Sequence, residues 1–175
     1  MIRYAFLILS LSLIAVPGAD AKVALVKNGK PEAVIVTAEA PSATAAEAAE
    51  VLQRYVEKIS GAKLEIRTEK NAGSGPKVYV GRSATVTRLG VEVPSGYSKW
   101  MNEEGFVIRT VGDGLVIAGN EDWNYRGTVF AVNALLESLG CRWYFPGPYG
   151  EVVPSLKTIT VADIDRVERP SFRIR

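Results

Sequence analysis

The densest group of polar and aromatic side chains in the sequence is the segment Glu121-Asp122-Trp123-Asn124-Tyr125-Arg126-Gly127. It lies between a predicted strand and a predicted helix, where free backbone N–H groups favour an anion. An aromatic ring beside Asn and Arg can hold a sugar or a uronate carboxylate. The alternative is structural, with the Asp or Asn capping the helix and the Arg bracing the sheet or a neighbouring domain. We expect the structural role, and keep Trp123, Tyr125 and Arg126 as candidate substrate-binding residues.

A second aromatic group, Trp143-Tyr144-Phe145-Pro146, follows about one predicted helix later. Such a run can form a platform on which a sugar ring stacks. Aromatic residues on a short strand before a Pro-Gly turn more often pack in a core or against another domain. We therefore expect packing, and keep Trp143 and Tyr144 as candidate substrate-binding residues.

Catalytic chemistry has little support in the sequence. The chain has no histidine, which removes the commonest general base and metal ligand. Glycosidases need two carboxyl groups about 5 to 10 Å apart across a sugar. The adjacent pairs Glu103-Glu104 and Glu121-Asp122 do not suit this, because neighbouring strand residues point to opposite faces. We predict no catalytic residue, no metal ligand and no cofactor, and expect the single cysteine, Cys141, to be a small buried residue.

Composition limits the class of protein. The 175 residues suffice for one domain of ordinary size, and the hydrophobic fraction of 47% is typical of globular chains. One cysteine cannot form an internal disulfide. The net charge of +2 and the dispersed Lys and Arg residues argue against nucleic acid as a partner.

The N-terminus has the pattern of a secretory signal peptide over residues 1–21. Arg3 precedes an apolar run over residues 5–16, and Ala19-Asp20-Ala21 gives the small-residue pattern of a cleavage site before Lys22. A membrane anchor is the alternative, but the run is shorter than the about 20 residues that a bilayer-spanning helix needs. We expect a secreted or periplasmic protein that has no membrane association after cleavage.

Two amphipathic helices and a hairpin are the clearest predicted elements. A helix over Ala43–Ser60 has one apolar face, a Thr44–Glu47 capping box and a Gly61 stop. A second helix is predicted over residues 125–139. Two apolar stretches around Val111-Gly112-Asp113 predict a hairpin. Shorter candidates are strands at 33–37, 63–67, 77–80, 142–145, 151–153 and 158–161, and a helical turn at 83–89.

These elements predict an α/β (α+β) fold with a single mixed sheet. Each of the two main helices has one broad apolar stripe rather than apolar residues all round. We therefore expect both helices to pack on one face of the sheet.

The order of these segments resembles a known domain. It is the N-terminal domain of α-glucuronidases and β-N-acetylhexosaminidase-like glycosidases, which precedes the catalytic barrel in secreted glycosidase-like proteins. The matching pieces are VLQRYVEKISGAKLEI (51–66), VYVG (78–81), EGFVIRT with GLVIAG (104–119), RGTVFAVNALLESLGCRWYFPG (126–147) and ERPSFRIR (168–175). The resemblance implies a zincin-like shape without a metal site. It also implies that the catalytic carboxylates lie on a (β/α)₈ barrel that follows, so no catalytic residue is carried over to this chain.

The resemblance gives the expected organisation and function. Residues 22–168 are expected to form a non-catalytic accessory domain, and residues 169–175 to begin the following barrel, leaving residues 170–175 poorly packed in this chain. The expected partner is that barrel, and the parent protein is expected to be a glycoside hydrolase of carbohydrate metabolism. The alternative is a free-standing carbohydrate-binding module that holds an oligosaccharide with exposed aromatic residues.

Overall fold

The computed structural model describes residues 21–95, 104–123 and 125–170. Outside these ranges lie most of the predicted signal peptide, one residue of each of two candidate segments (Glu103 and Asn124), and residues 171–175 of the predicted tail. The expectations for the signal peptide and for the packing of that tail therefore stay predictions.

The described residues form short strands and three helices. The strands are β1 (Ala21–Lys27), β2 (Lys30–Pro31), β3 (Val34–Thr37), β4 (Ile66–Thr68), β5 (Lys77–Val80), β6 (Phe106–Val111), β7 (Gly114–Gly119), β8 (Arg142–Trp143), β9 (Glu151–Val152), β10 (Ile159–Ala162) and β11 (Asp165–Glu168). The helices are α1 (Ala43–Ser60), α2 (Ala84–Arg88) and α3 (Gly127–Ser138).

The central layer is a six-stranded sheet in the order β11-β6-β7-β5-β3-β4. The pairs β4-β3, β3-β5 and β5-β7 are parallel, and the pairs β7-β6 and β6-β11 are antiparallel. The predicted α/β class with a mixed sheet is confirmed. The structure adds a three-stranded sheet, β10-β1-β2, and a two-stranded ladder, β8-β9.

Helices α1 and α3 pack against each other on one face of the six-stranded sheet. The predicted apolar face of α1 is buried, and Leu52 and Val56 are fully enclosed. Opposite them lie Ile35, Ile117 and other inward residues of the sheet, with residues of β1 and β10 completing the core. This is the arrangement that the single apolar stripe of each helix predicts.

The opposite face of the sheet is covered more lightly. Val86 of α2 and Val91 pack on Val107, Val116 and Ala118 to form a second, smaller core. Strands β6 and β7 therefore bury residues on both faces of the sheet, as the alternation of the pleat requires, whereas the edge strands β4 and β11 are partly exposed.

The ends of α1 confirm the predicted span but correct its cap. Gly61 ends the helix in the left-handed conformation at φ 79°, where a side chain would cost energy. At the other end, Ser42 accepts a hydrogen bond from the backbone N–H of Ala45 at 3.0 Å. The Thr44–Glu47 capping box is wrong, because both side chains turn instead to the segment that precedes α3.

No helix in the part of the chain that the structure describes is both long enough and apolar enough to span a bilayer.

Candidate functional site

The first candidate segment lies where α1 and α3 both begin. We call Glu121, Asp122, Trp123, Tyr125 and Arg126 the turn cluster. The Ser42 cap of α1 donates to Glu121 Oε2 at 2.6 Å, and Thr44 Oγ1 donates to the carbonyl oxygen of Tyr125 at 3.4 Å. The starts of the two helices are thus tied to each other through this cluster.

Glu121 is the centre of that connection. Its Oε1 accepts from Thr128 Oγ1 at 2.5 Å and from the backbone N–H of Arg82 at 3.2 Å. Thr128 Oγ1 in turn accepts from the backbone N–H of Gly119 at 2.9 Å. One carboxylate therefore joins the end of β7, the loop after β5 and the first turns of two helices.

Two glycines let α3 start directly against β7. A Cβ on Gly119 would lie 2.1 Å from the carbonyl carbon of Gly127. A Cβ on Gly127 would lie 2.4 Å from the backbone nitrogen of Asn120. Both distances are far below any real contact, so the close approach of helix and strand requires both glycines.

Asp122, one of the two side chains expected to cap α3, does not do so, and the other, Asn124, lies outside the described residues. Asp122 forms an ion pair with Arg82 at 2.7 Å. The first backbone N–H groups of α3 are satisfied elsewhere: Arg126 N donates to Glu104 Oε1 at 3.0 Å, and Gly127 N donates to the carbonyl oxygen of Asn120 at 3.0 Å.

The three candidate ligand residues of the turn cluster have different surroundings. Trp123 is 87% exposed and has a positive φ of 60°. Tyr125 is half-buried. Arg126 pairs with Glu47 at 2.5 Å, and this hydrogen bond raises the pKa of the guanidinium. Arg126 is therefore engaged with α1, whereas the expected structural role was to brace the sheet or a neighbouring domain.

The second candidate segment lies at the other end of the two helices. Gly140 follows the end of α3, and Trp143 then lies against Tyr55 of α1. The two rings meet edge to face, with centroids 5.2 Å apart and planes at 80°. Trp143 Nε1 donates to the hydroxyl oxygen of Tyr55 at 2.7 Å. We call the open space beside them the aromatic cleft. It is lined by Tyr55, Lys58, Glu151 and residues 143–148.

The floor of the aromatic cleft is a connected polar network. The Tyr55 hydroxyl donates to Glu151 Oε1, and Lys58 Nζ pairs with Glu151 Oε2 at 2.7 Å. Lys58 Nζ also lies 4.9 Å from the centre of the Tyr55 ring, within cation–π distance.

This network shifts the pKa values of Glu151 and Tyr55 in opposite directions. The hydrogen bond from Lys58, and then that from Tyr55, holds the pKa of Glu151 below its usual value. Burial, and then the neighbouring carboxylate of Glu151, raises the pKa of Tyr55. Near neutral pH the network therefore contains an ionised carboxylate and a neutral phenol.

The walls of the aromatic cleft come from the loop between β8 and β9. Tyr144 and Phe145 are 72% and 57% exposed, and Pro146 and Pro148 also line the cleft. Its volume is about 710 Å³, and its lining also includes the floor residues described above. Tyr149 of the same loop is 94% exposed.

The backbone of this loop is tightly closed. The backbone N–H of Tyr144 donates to the carbonyl oxygen of Gly150 at 2.9 Å. A Cβ on Gly150 would lie 2.0 Å from the carbonyl oxygen of Phe145, so only glycine fits there. The predicted strand over residues 142–145 shortens to Arg142–Trp143 because the chain turns into this loop.

The structure thus separates the five predicted site residues into two groups. Trp143 and Tyr144 share the aromatic cleft, while Trp123, Tyr125 and Arg126 share the turn cluster. Along α1, Glu47 belongs to one end and Tyr55 to the other, a rise of about 12 Å. Sequence reasoning missed the three floor residues, although Tyr55 and Lys58 fall one turn apart on α1.

Neither end offers a metal site in the described ranges, where no group of three or more His, Cys, Asp or Glu side chains is placed to hold an ion. Cys141 is fully buried, and this burial raises the pKa of its thiol. Its expected role as a small core residue is confirmed.

Comparison with known proteins gives a fold likeness. No protein-family model matches the chain, and no curated protein sequence matches it. A solved family GH115 4-O-methyl-α-glucuronidase with specificity for decorated arabinogalactans matches 85% of the chain, with a TM-score of 0.58 and 20% identity. A GH138 enzyme targeting pectin rhamnogalacturonan II matches 74% of it, with a TM-score of 0.40 and 16% identity.

The chain spans only 18% of the length of the first of these structures and 11% of the second. The GH115 likeness shows that this fold also occurs in a glycoside hydrolase.

Proposed function

We propose that this chain is a non-catalytic accessory domain of a glycoside hydrolase-like protein. In this proposal a (β/α)₈ catalytic barrel follows the chain and packs against the turn cluster. The observation that carries the proposal is the pair of coverages in the GH115 comparison, 85% of this chain but 18% of that one. There the fold is a small part of a much larger glycosidase.

The path of the chain supports a contact at the turn cluster. Glu168, at the end of β11, pairs with Phe106, which pairs with Gly119 at the end of β7. The backbone N–H of Asn120 also donates to the carbonyl oxygen of Gly105 at 2.8 Å. Arg169 and Pro170 therefore leave β11 at the end of the sheet that carries the turn cluster.

The surface at this edge suits such a contact. Trp123 exposes most of a large ring, and aromatic residues and Arg are enriched where protein surfaces meet. The Glu47–Arg126 pair is about half exposed and would be covered by a neighbouring domain.

The acidic residues of the turn cluster support a non-catalytic role. Glu121 accepts hydrogen bonds from three partners within the fold. Asp122 is paired with Arg82. A carboxylate already bound to the scaffold is poorly placed to transfer a proton to a sugar or to attack it.

Hydrogen exchange tests the docking. The protein encoded by the complete open reading frame is compared with this chain alone. We expect slower exchange over residues 121–126 in the longer protein and unchanged exchange over residues 143–149. A reading frame that ends at Arg175, or unchanged exchange at 121–126, would overturn the proposal.

Enzyme assays test the non-catalytic role. The purified chain should hydrolyse neither an aryl glucuronide nor an aryl N-acetylhexosaminide above background. Turnover that one Asp or Glu substitution in this chain abolishes would contradict it.

Export is also part of the proposal. The strand β1 begins at Ala21, so cleavage before Lys22 leaves this strand almost whole. N-terminal sequencing of protein recovered from the periplasm or the medium should start at Lys22. A mature protein that retains Met1 would contradict the secreted or periplasmic location.

A further inference from the structure

We propose that the aromatic cleft is a binding site for a neutral oligosaccharide. The site comprises the rings of Trp143, Tyr144 and Phe145 beside the Tyr55–Glu151–Lys58 floor. This goes beyond the accessory role and does not rest on it, because the cleft lies at the end of the helices opposite the turn cluster.

The aromatic rings of the loop between β8 and β9 are exposed. Tyr144, Phe145 and Tyr149 lie on one short loop and expose 57% to 94% of their surface. Single exposed apolar residues are ordinary, but a contiguous group marks a binding surface. Tyr144 and Phe145 of this group line a cleft of about 710 Å³, a size that suits a small ligand. Flat ring faces match the C–H faces of a pyranose.

The hydrogen-bonding groups of the cleft favour a particular kind of ligand. The indole N–H of Trp143 is used by Tyr55, and the hydroxyl proton of Tyr55 is used by Glu151. Pro146 and Pro148 have no backbone N–H. Glu151 keeps unused lone pairs on both oxygens, since a carboxylate has about four acceptor positions. Lys58 Nζ also carries three N–H donors and gives one of them to Glu151, so the floor offers both acceptors and donors.

That combination suits sugar hydroxyls, which both donate and accept hydrogen bonds. They can donate to Glu151 and accept from Lys58 while the sugar C–H face covers the rings. A proline-rich peptide also binds aromatic grooves, but its carbonyl oxygens only accept, so it would leave the remaining lone pairs of Glu151 without a donor.

The charges on the floor of the cleft are paired. The ammonium of Lys58 and the carboxylate of Glu151 are 2.7 Å apart, so the floor has paired charges of opposite sign. The hydrogen bond from Lys58 holds the pKa of Glu151 below its usual value, so the carboxylate is ionised at neutral pH. A paired floor has no uncompensated cation for a uronate, and this favours a neutral sugar.

Contacts within the fold order the cleft before a ligand binds. The edge-to-face contact and the indole hydrogen bond hold Trp143 on Tyr55. The Tyr144–Gly150 hydrogen bond and the close approach of Gly150 to Phe145 fix the loop backbone. A site ordered before binding loses less entropy when the ligand arrives.

Calorimetric titration of the purified full chain tests the proposal. The probes are cellohexaose, xylohexaose, mannohexaose and laminarihexaose. We expect at least one to bind with Kd below about 10 mM, a value typical of a weak single site. Tyr144→Ala should weaken that binding by about tenfold or more, which is at least one decade in Kd. Tyr149→Ala should weaken it less.

The matched control is Val167→Ala, which truncates a half-exposed side chain on the edge strand β11, away from the cleft. It should leave Kd unchanged. Circular dichroism melting confirms that each variant is folded, and the exposure of Tyr144 and Tyr149 makes both variants compatible with folding.

Four results would overturn the inference. They are no binding of any of the hexasaccharides, tighter binding of hexagalacturonate than of every neutral probe, binding of deca-proline but of no sugar, and loss of sugar binding in Trp123→Ala but not in Tyr144→Ala. None of these depends on a following domain, so failure here is distinct from failure of the accessory role.

Discussion

The turn cluster and the aromatic cleft lie at opposite ends of the same pair of helices and use their polar groups in different ways. In the turn cluster, Glu121 accepts three hydrogen bonds from the scaffold, and two glycines press α3 onto β7. In the aromatic cleft, Glu151 anchors one tyrosine and one lysine and keeps acceptor capacity toward solvent. The first end holds the fold together, while the second presents a surface.

This difference predicts how substitutions at each end behave. Changes at Glu121 and at the two glycines beside the turn cluster should reduce stability strongly, because they affect backbone packing and a partly buried hydrogen-bond network. In the aromatic cleft, substitutions in the floor should reduce stability more than substitutions in the exposed walls.

The largest effect is expected for Gly127→Ala. The new methyl group would meet backbone atoms of Asn120 and Gly105 at 2.4 and 2.6 Å, and backbone cannot move aside as a flexible side chain can. We expect a loss of about 3 kcal/mol or more, with poor solubility. Urea unfolding or the soluble fraction measures it.

Gly90→Ala is the control for that substitution. Its new methyl group meets nothing within 4 Å, but its φ of 71° is left-handed. It should cost only about 1 to 2 kcal/mol. Equal losses for both variants would show that packing at Gly127 has no special weight.

Glu121→Ala should have the next largest effect. It leaves the Ser42 and Thr128 hydroxyls and the backbone N–H of Arg82 without their shared acceptor. We expect about 2 kcal/mol of destabilisation. The neighbouring carboxylate provides the control: Asp122→Ala removes a partly exposed ion pair and should cost less than about 1 kcal/mol. The reverse ranking would contradict the role of Glu121.

Tyr55→Phe should have an intermediate effect at the other end. The substitution keeps the ring against Trp143 and removes the hydroxyl that joins Trp143 to Glu151. We expect about 1 kcal/mol of destabilisation. Chemical unfolding measures it, and a neutral or stabilising result would mean that the floor network is not formed in solution.

The same network predicts a dependence of stability on pH. Because the pKa of Glu151 is lowered in the fold, its contribution is complete above the unfolded value of about 4.3 and is lost as the pH falls through the folded value. The stability difference between the wild type and Glu151→Gln should therefore shrink as the pH falls below about 4.3. Lys58→Met should remove much of this dependence. A difference that grows on acidification would contradict the ion pair.

The smallest effect on stability is expected for Tyr144→Ala in the wall of the aromatic cleft. Its side chain is mostly exposed, so the loss should stay within about 0.5 kcal/mol. A melting curve measures it. A loss comparable to that of Glu121→Ala would show that the ring supports the fold, and the contrast between the two ends would fail.

The elements that the sequence predicted well have local signals. Helix α1 has a strict apolar period and a glycine stop, and its observed span agrees with the predicted one. The β6–β7 hairpin has a two-residue loop with Gly112 at φ 61°. Strand β11 was missed because its residues, DRVE, are mostly exposed at the edge of the sheet and have no apolar alternation.

The parts that sequence reasoning could not supply depend on tertiary contacts. Ser42 and Thr44 are both plausible caps for α1, and the choice between them depends on Glu121 and Tyr125, which are 79 and 81 positions away along the chain. Trp143 and Tyr144 were visible as an aromatic run. Their polar floor was not, because Tyr55 and Glu151 are 96 positions apart.

The most direct test of the contrast between the two ends uses the indole N–H signals of the three tryptophans. They are assigned by Trp→Phe substitution and followed by heteronuclear NMR while the chain is titrated with its best-binding neutral hexasaccharide. The account predicts that the Trp143 signal shifts in proportion to the bound fraction and that the Trp123 signal stays in place. A shift of Trp123 with no change at Trp143 would contradict it.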